Sequence, residues 1–176
     1  MRRAAKAVNF GIVYGISPFS LSQDIGVTVA EAKAYMESYF DRFKGVKAYM
    51  DRVVEEAREQ GYVETMFHRR RALPEIKASN FNMRSFGERV ALNMPIQGAA
   101  ADIIKLAMVR VSHALKEEGL EARLIMQVHD ELIVECPEDE AERVQALLTR
   151  EMEEVTPLAV PLLTEAHVGR SWLDAK

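Results

Sequence analysis

Apolar positions along this chain recur at helical spacing through most of its length and alternate only in short stretches. Residues 2–14 read as a helix that ends at Gly15. Thr28 and Glu31 stand in the capping-box arrangement at the head of a second helix, whose Ala32, Tyr35, Met36, Tyr39 and Phe40 share one face. Val46, Tyr49, Met50, Val53, Val54 and Ala57 mark a third helix, stopped by Gly61. "YVETMF" alternates as a strand does, and "HRRRALPEI" reads as a basic loop or short hairpin. Residues 79–94 are helical again until Pro95, which should break or kink the helix; a long amphipathic helix resumes after it and stops at Gly119. Two strands near 124–128 and 132–136 are joined too tightly for anything but a hairpin. Residues 138–155 form a helix with acids at its favourable N-terminal end, and "VPLLTEAHVG" predicts a last strand.

The pattern therefore predicts an α+β protein. Its first part, 1–75, is almost wholly helical, and its second, 76–176, mixes helices with a small antiparallel sheet. The shift near Ile76 is the expected subdomain boundary, and no repeat or low-complexity linker interrupts either part.

Composition narrows this picture. With 48% apolar and 28% charged residues over 176 positions, the chain can bury a core and is not a disordered tail. The net charge of −4 argues against nonspecific coating of nucleic acid, although the charge is uneven: "MRRAAK" and "HRRRALPEIK" are basic, "ECPEDEAE" and "REMEE" acidic. A single cysteine, Cys136, excludes an internal disulfide and suits a reducing cytoplasm. No run of 18 apolar residues exists to span a membrane, and the basic start lacks the apolar core of a signal peptide. Helical periodicity begins at once, as expected of a piece of something longer.

Three groups of residues carry candidate chemistry. Arg2, Lys6, Phe10 and Tyr14 fall every fourth residue and so line one slowly turning stripe of a helix. That stripe fits either an amphipathic helix with a solvated charged end, or a nucleotide site in which cations hold phosphate oxygens and aromatics stack on sugar or base. Arg89, Asn93 and Gln97 repeat the same spacing in an otherwise apolar segment, either as capping groups near Pro95 or as a polar binding stripe. "QVHDEL" places His129, Asp130 and Glu131 at a hairpin tip, where a plain turn and a metal site are both open readings. Arg69, Arg70 and Arg71 are a solvated loop or a phosphate contact. His113 and His167 are lone histidines with structural roles.

R-x-x-x-K-x-x-x-F-x-x-x-Y-G closely resembles the fingers-helix motif of family A DNA polymerases, and "QVHDELIVE" resembles that family's distal palm motif. "GYVETMFHRRRALPEI" and "ALNMPIQGAAADIIK" stand between them in the family's order, so the resemblance covers essentially the whole chain. It implies a piece of a DNA-directed DNA polymerase, a nucleotidyltransferase of DNA replication and repair, with a fingers subdomain at 1–75 and distal palm at 76–176. On that resemblance, Arg2 and Lys6 contact the triphosphate of an incoming deoxynucleotide. Phe10 stacks near its sugar, and Tyr14 tests the shape of the nascent pair. Arg89, Asn93 and Gln97 face the minor groove of primer–template DNA, where acceptors common to all pairs report geometry rather than sequence. Asp130 is implied as a magnesium (Mg2+) ligand, Glu131 as an auxiliary carboxylate and His129 as a contact near the primer terminus. Arg3 takes a solvated or a template-phosphate role. His68 departs from the glycine expected there, and Ala99 from a commoner threonine.

The family also draws an aspartate from an earlier strand, within a D-Y-S-Q-I-E-L-R-like motif that these 176 residues do not contain. Asp24, Asp41, Asp51 and Asp102 lie on helices or beside turns and do not substitute for it. The chain is thus expected to depend on the missing upstream part of the same polymerase and to be inactive alone. The rival readings are a non-catalytic nucleotide- or DNA-binding module and a purely structural helical domain.

Overall fold

The computed structural model describes residues 2–175, with side chains from residue 5 onward. The fold is α+β, its strands confined to two separate antiparallel hairpins. The chain divides into two compact units, 1–99 and 100–176.

The first unit opens with α1 (Arg2–Val13) and α2 (Pro18–Ile25). The apolar pattern did not reveal α2, yet its end signals are present. Ser17 accepts the Ser20 amide at 3.1 Å, Pro18 occupies a first turn where its missing N–H is no loss, and Gly26 closes the helix at φ 69°. Helix α3 (Val29–Arg42) starts on the predicted capping box. Thr28 Oγ1 accepts the Glu31 amide at 3.2 Å, and Glu31 accepts the Thr28 amide at 2.8 Å. The backbone and side-chain hydrogen bonds from Thr28 hold the Glu31 carboxyl below its ordinary pKa. Helix α4 (Lys44–Gln60) ends at Gly61, and β1 (Tyr62–Glu64) then pairs antiparallel with β2 (Arg70–Ala72), Val63 opposite Arg71. A 3-10 turn, Pro74–Lys77, leads into α5 (Phe81–Glu117). Val53, Ala57, Val63, Leu73, Ile76 and Ala91 form the core of this unit, with Tyr49, Val90 and Met94 packed around it.

That core includes Ile76, at which the sequence pattern shifts. Ile76 is 1% exposed and buried among residues of α4, β1 and α5. The division at 99/100 falls inside α5. Helix α5 is also not broken at Pro95: it runs on through the proline, forgoing one amide donor toward the turn that holds Ala91.

In the second unit, β3 (Arg123–Val128) and β4 (Glu131–Glu135) form the predicted hairpin, with Val128 opposite Glu131 and a register shift between Leu124 and Met126. Helix α6 (Ala141–Glu153) follows a short 3-10 turn. Its Val144 and Leu147 pack with Val111, Ala114, Leu115 and Ala122, and Leu132 and Val134 of β4 lie against that cluster. The last strand expected at 160–169 does not form. A strand needs a neighbour to pair its backbone, and here that backbone turns to α6: the Thr164 amide donates to Glu153 at 2.8 Å, and the Ala166 carbonyl accepts from Gln145. No described helix is long and apolar enough to cross a membrane.

Candidate functional site

Helix α1 carries its stripe as the spacing requires. Lys6 Nζ lies 5.6 Å from the centroid of the Phe10 ring, and Phe10 and Tyr14 are stacked with centroids 6.3 Å apart at 28°. Phe10 is 50% exposed and Tyr14 38%, so an ammonium and two ring faces form an open row instead of a core. The side chains of Arg2 and Arg3 lie outside the described residues. The row ends where α1 meets α5. Gly15 adopts φ 73°, and a Cβ there would sit 3.1 Å from Leu92 Cδ1 and 3.5 Å from Arg89 Cγ. Glycine thus serves both the left-handed backbone and the close approach, and it brings the Tyr14 end of the first stripe beside the first residue of the second.

The second stripe borders a cleft of about 500 Å³ lined by Arg69, Arg70, Arg71, Asn93, Met94 and Gln97, among others. The sequence suggested the Arg run and the Asn93–Gln97 stripe separately, and the tertiary fold makes them two walls of one groove. Gly98 permits this approach, because a Cβ there would lie 2.5 Å from Thr65 Cγ2 at the end of β1. The walls are cationic and amide-bearing. Asn93 Oδ1 is buried with no hydrogen-bond partner among the described residues, an orphaned acceptor of the kind that water or a ligand normally satisfies. Arg70 is held by the fold: its Nε lies 3.0 Å from Glu64 Oε2, and its guanidinium sits 4.7 Å from the Tyr62 ring centroid. That hydrogen bond, followed by the one with His68, keeps the Glu64 carboxyl below its ordinary value.

His68 departs from glycine at a cost that the backbone makes visible. Its φ is 63°, in the left-handed region, while its Nδ1 lies 3.3 Å from Glu64 Oε1. The exposed contact is worth little, whereas a Cβ in this conformation is strained. His68→Gly is therefore expected to stabilise the protein by roughly 0.5–1 kcal/mol. Thermal melting of the two proteins checks this, and a lower melting temperature in the variant would show that the Glu64 contact outweighs the strain.

In the second unit, His129 and Asp130 form the two-residue loop between β3 and β4, and Glu131 begins β4. Of the two loop residues only His129 has positive φ, 53°, the sign pattern of a type II′ turn in which glycine is the usual occupant. The Gln127 side-chain amide donates to the His129 carbonyl at 2.5 Å and braces the tip. His129, Asp130 and Glu131 are exposed, and neither carboxylate is spent on an ion pair or a side-chain hydrogen bond among the described residues. Free, hard oxygen donors on a braced hairpin suit a hard divalent cation. Among the described residues no three His, Cys, Asp or Glu side chains converge into a metal cage. Asp130 and Glu131 are thus part of a donor set at most.

Asn9 and Tyr39 were not read from the sequence as site residues. The Tyr39 hydroxyl donates to Asn9 Oδ1 at 2.9 Å, joining α3 to α1 immediately beside Phe10. Tyr39 follows the apolar period of its helix, and nothing in that period distinguishes its hydroxyl.

Comparison with known proteins gives consistent results. The model of DNA polymerase family A matches residues 1–174. The DNA polymerase I of Geobacillus stearothermophilus is 57% identical over 176 residues, covering 100% of this chain and 20% of that protein. That of Bacillus subtilis is 56% identical over 176 residues, with the same coverages of 100% and 20%. Among solved structures, the POL domain of Pol1 from M. smegmatis, in complex with DNA primer-template and dNTP, superimposes with a TM-score of 0.94 at 48% identity, covering 99% of this chain and 31% of that one. The chain spans about a fifth of the length of the DNA polymerase I relatives it matches.

Proposed function

We propose that this chain, which belongs to DNA polymerase family A, forms the nucleotide-binding and duplex-facing part of a DNA-directed DNA polymerase together with one carboxylate-bearing edge of its metal centre. The observation that carries the reading is the open row on α1. Lys6, Phe10 and Tyr14 are aligned, exposed and set against Arg89 at Gly15. In this reading residues 1–75 are fingers and 76–176 distal palm, as the resemblance implies. Lys6, with Arg2, binds the triphosphate of a deoxynucleotide, and Phe10 and Tyr14 bound the sugar and the nascent pair. Asn93 and Gln97 offer amides to the minor groove of primer–template DNA, with Arg89 completing the stripe. Arg69 and Arg71, on the opposite wall of the same cleft, suit backbone phosphates.

Asp130 would hold magnesium, with Glu131 as auxiliary carboxylate and His129 near the primer terminus. Bound there, magnesium supplies Lewis-acid activation of a hydroxyl and neutralises charge at the phosphates. The further carboxylates belong to the longer polymerase, since the aspartate motif that the family resemblance calls for is not among these residues. A cytoplasmic setting belongs to the same reading and agrees with the free thiol of Cys136.

The test is Lys6→Ala in the full-length enzyme. Losing a charge-assisted phosphate contact of about 1.5–3 kcal/mol lowers kcat/KM for the nucleotide roughly 10- to 150-fold, with primer–template affinity unchanged. Single-nucleotide incorporation kinetics measure this, and unchanged kinetics would remove Lys6 from the site.

A further inference from the structure

Helix α1 is lightly held. Of its described side chains only Ile12 is buried, at 1% exposure, and it lies near the C-terminal end together with the Gly11–Ile16 contact. The half that carries Lys6 and Phe10 has one polar side-chain tie among the described residues, the 2.9 Å hydrogen bond from the Tyr39 hydroxyl to Asn9 Oδ1. The α3 end of this tie is well fixed. The Tyr39 ring lies 4.8 Å from Phe43 and edge-on to Phe40 at 5.8 Å, and its carbonyl accepts the Phe43 amide at 2.8 Å. The α1 end is one residue from Phe10 and three from Lys6, so it bears on the rotation of the helix about its own axis. Side-chain tips stand ~5 Å or more from a helix axis, and a rotation of ~20° carries them about 2 Å. A displacement of that size matters to a group that must meet phosphate or sugar.

We infer that Tyr39 is a positioning residue: through Asn9 it fixes the rotational setting of α1 and thereby where Lys6 and Phe10 meet the nucleotide. This rests on the reading of α1 as the nucleotide-binding helix. Tyr39 itself touches no substrate. Its loss should therefore appear in nucleotide binding and, since Phe10 bounds the sugar in that reading, in selection between deoxy and dideoxy sugars.

The experiment compares Tyr39→Phe, Asn9→Leu and the double variant in the full-length polymerase. Tyr39→Phe keeps the ring on Phe43 and removes only the donor. Each single variant is expected to raise the nucleotide KM roughly three- to tenfold, the effect of one lost hydrogen bond. Each should also shift the deoxy-to-dideoxy preference, while kcat at saturation, primer–template affinity and melting temperature stay near the parent's. The double variant should be no worse than either single one, because both remove the same bond. An unchanged KM in Tyr39→Phe, or additive losses in the double variant, overturns the inference. Lys6→Ala assayed alongside separates the two levels. If Lys6→Ala is impaired and Tyr39→Phe is not, the positioning role alone fails. If Lys6→Ala is also silent, the nucleotide-site reading fails with it.

Discussion

Asp130→Asn in the full-length polymerase is expected to abolish primer extension while leaving the fold intact. Asp130 sits at an exposed tip with no ion pair or side-chain hydrogen bond to lose among the described residues, so the change costs almost no stability. What it removes is a negative oxygen donor. Stabilisation of this kind is worth several kcal/mol in the transition state, and each 1.36 kcal/mol is tenfold in rate, so kcat should fall on the order of 10³-fold or more. By the same argument the 176-residue polypeptide alone should not extend a primer, because among the described residues Asp130 and Glu131 are part of a donor set at most. Magnesium-dependent extension assays check both statements. Extension by the isolated chain, lost on Asp130→Asn, would show that these residues complete the site without the longer protein.

Gly87→Ala should cost the first unit a substantial part of its stability. A Cβ at Gly87 would lie 2.7 Å from the backbone nitrogen of Ile76, 2.9 Å from its Cα and 3.0 Å from the carbonyl carbon of Glu75. Those atoms are backbone, and Ile76 is itself pinned in the core, so the clash cannot be relieved by a side-chain rotation. Overpacking of this kind costs about 3 kcal/mol, against a helix-propensity gain of about 1 kcal/mol, for a net loss of ~2 kcal/mol. For a unit of this size that is a fall on the order of 10 °C in melting temperature. Gly45 on α4 supplies the control, since a Cβ there meets nothing within 4 Å, and Gly45→Ala should be neutral or slightly stabilising. Equal melting temperatures for the two variants would mean that α5 can shift away from the Pro74–Lys77 turn without cost.

The sequence by itself determined what depends on near neighbours along the chain. The capping box at Thr28 and Glu31, the glycine stops at Gly15 and Gly61, the β3–β4 hairpin and the every-fourth-residue rows are local in origin. Their spacing is set by the 3.6-residue turn or by the two-residue loop, so they can be read without knowing what packs on what. Helix α2 carries local end signals in Ser17, Pro18 and Gly26 but was not read from the sequence, because at 8 residues it is too short for apolar periodicity to announce it.

Contacts between distant residues were decided only by the tertiary structure. Ile76 is a core residue because α4, β1 and α5 converge on it. Pro95 reads as a break, yet the helix runs through it from Phe81 to Glu117. Residues 160–169 have the composition of a strand and no described neighbour to pair with, and their backbone is taken up by Glu153 and Gln145 instead. The same holds for the candidate site. Each stripe was visible alone, but the meeting of Arg69–Arg71 with Asn93 and Gln97, the approach of Gly15 to Arg89 and the Tyr39–Asn9 bond join residues 20 or more positions apart. Periodicity carries no information at that range, since which faces meet is settled by packing and by the few glycines that let backbones come close.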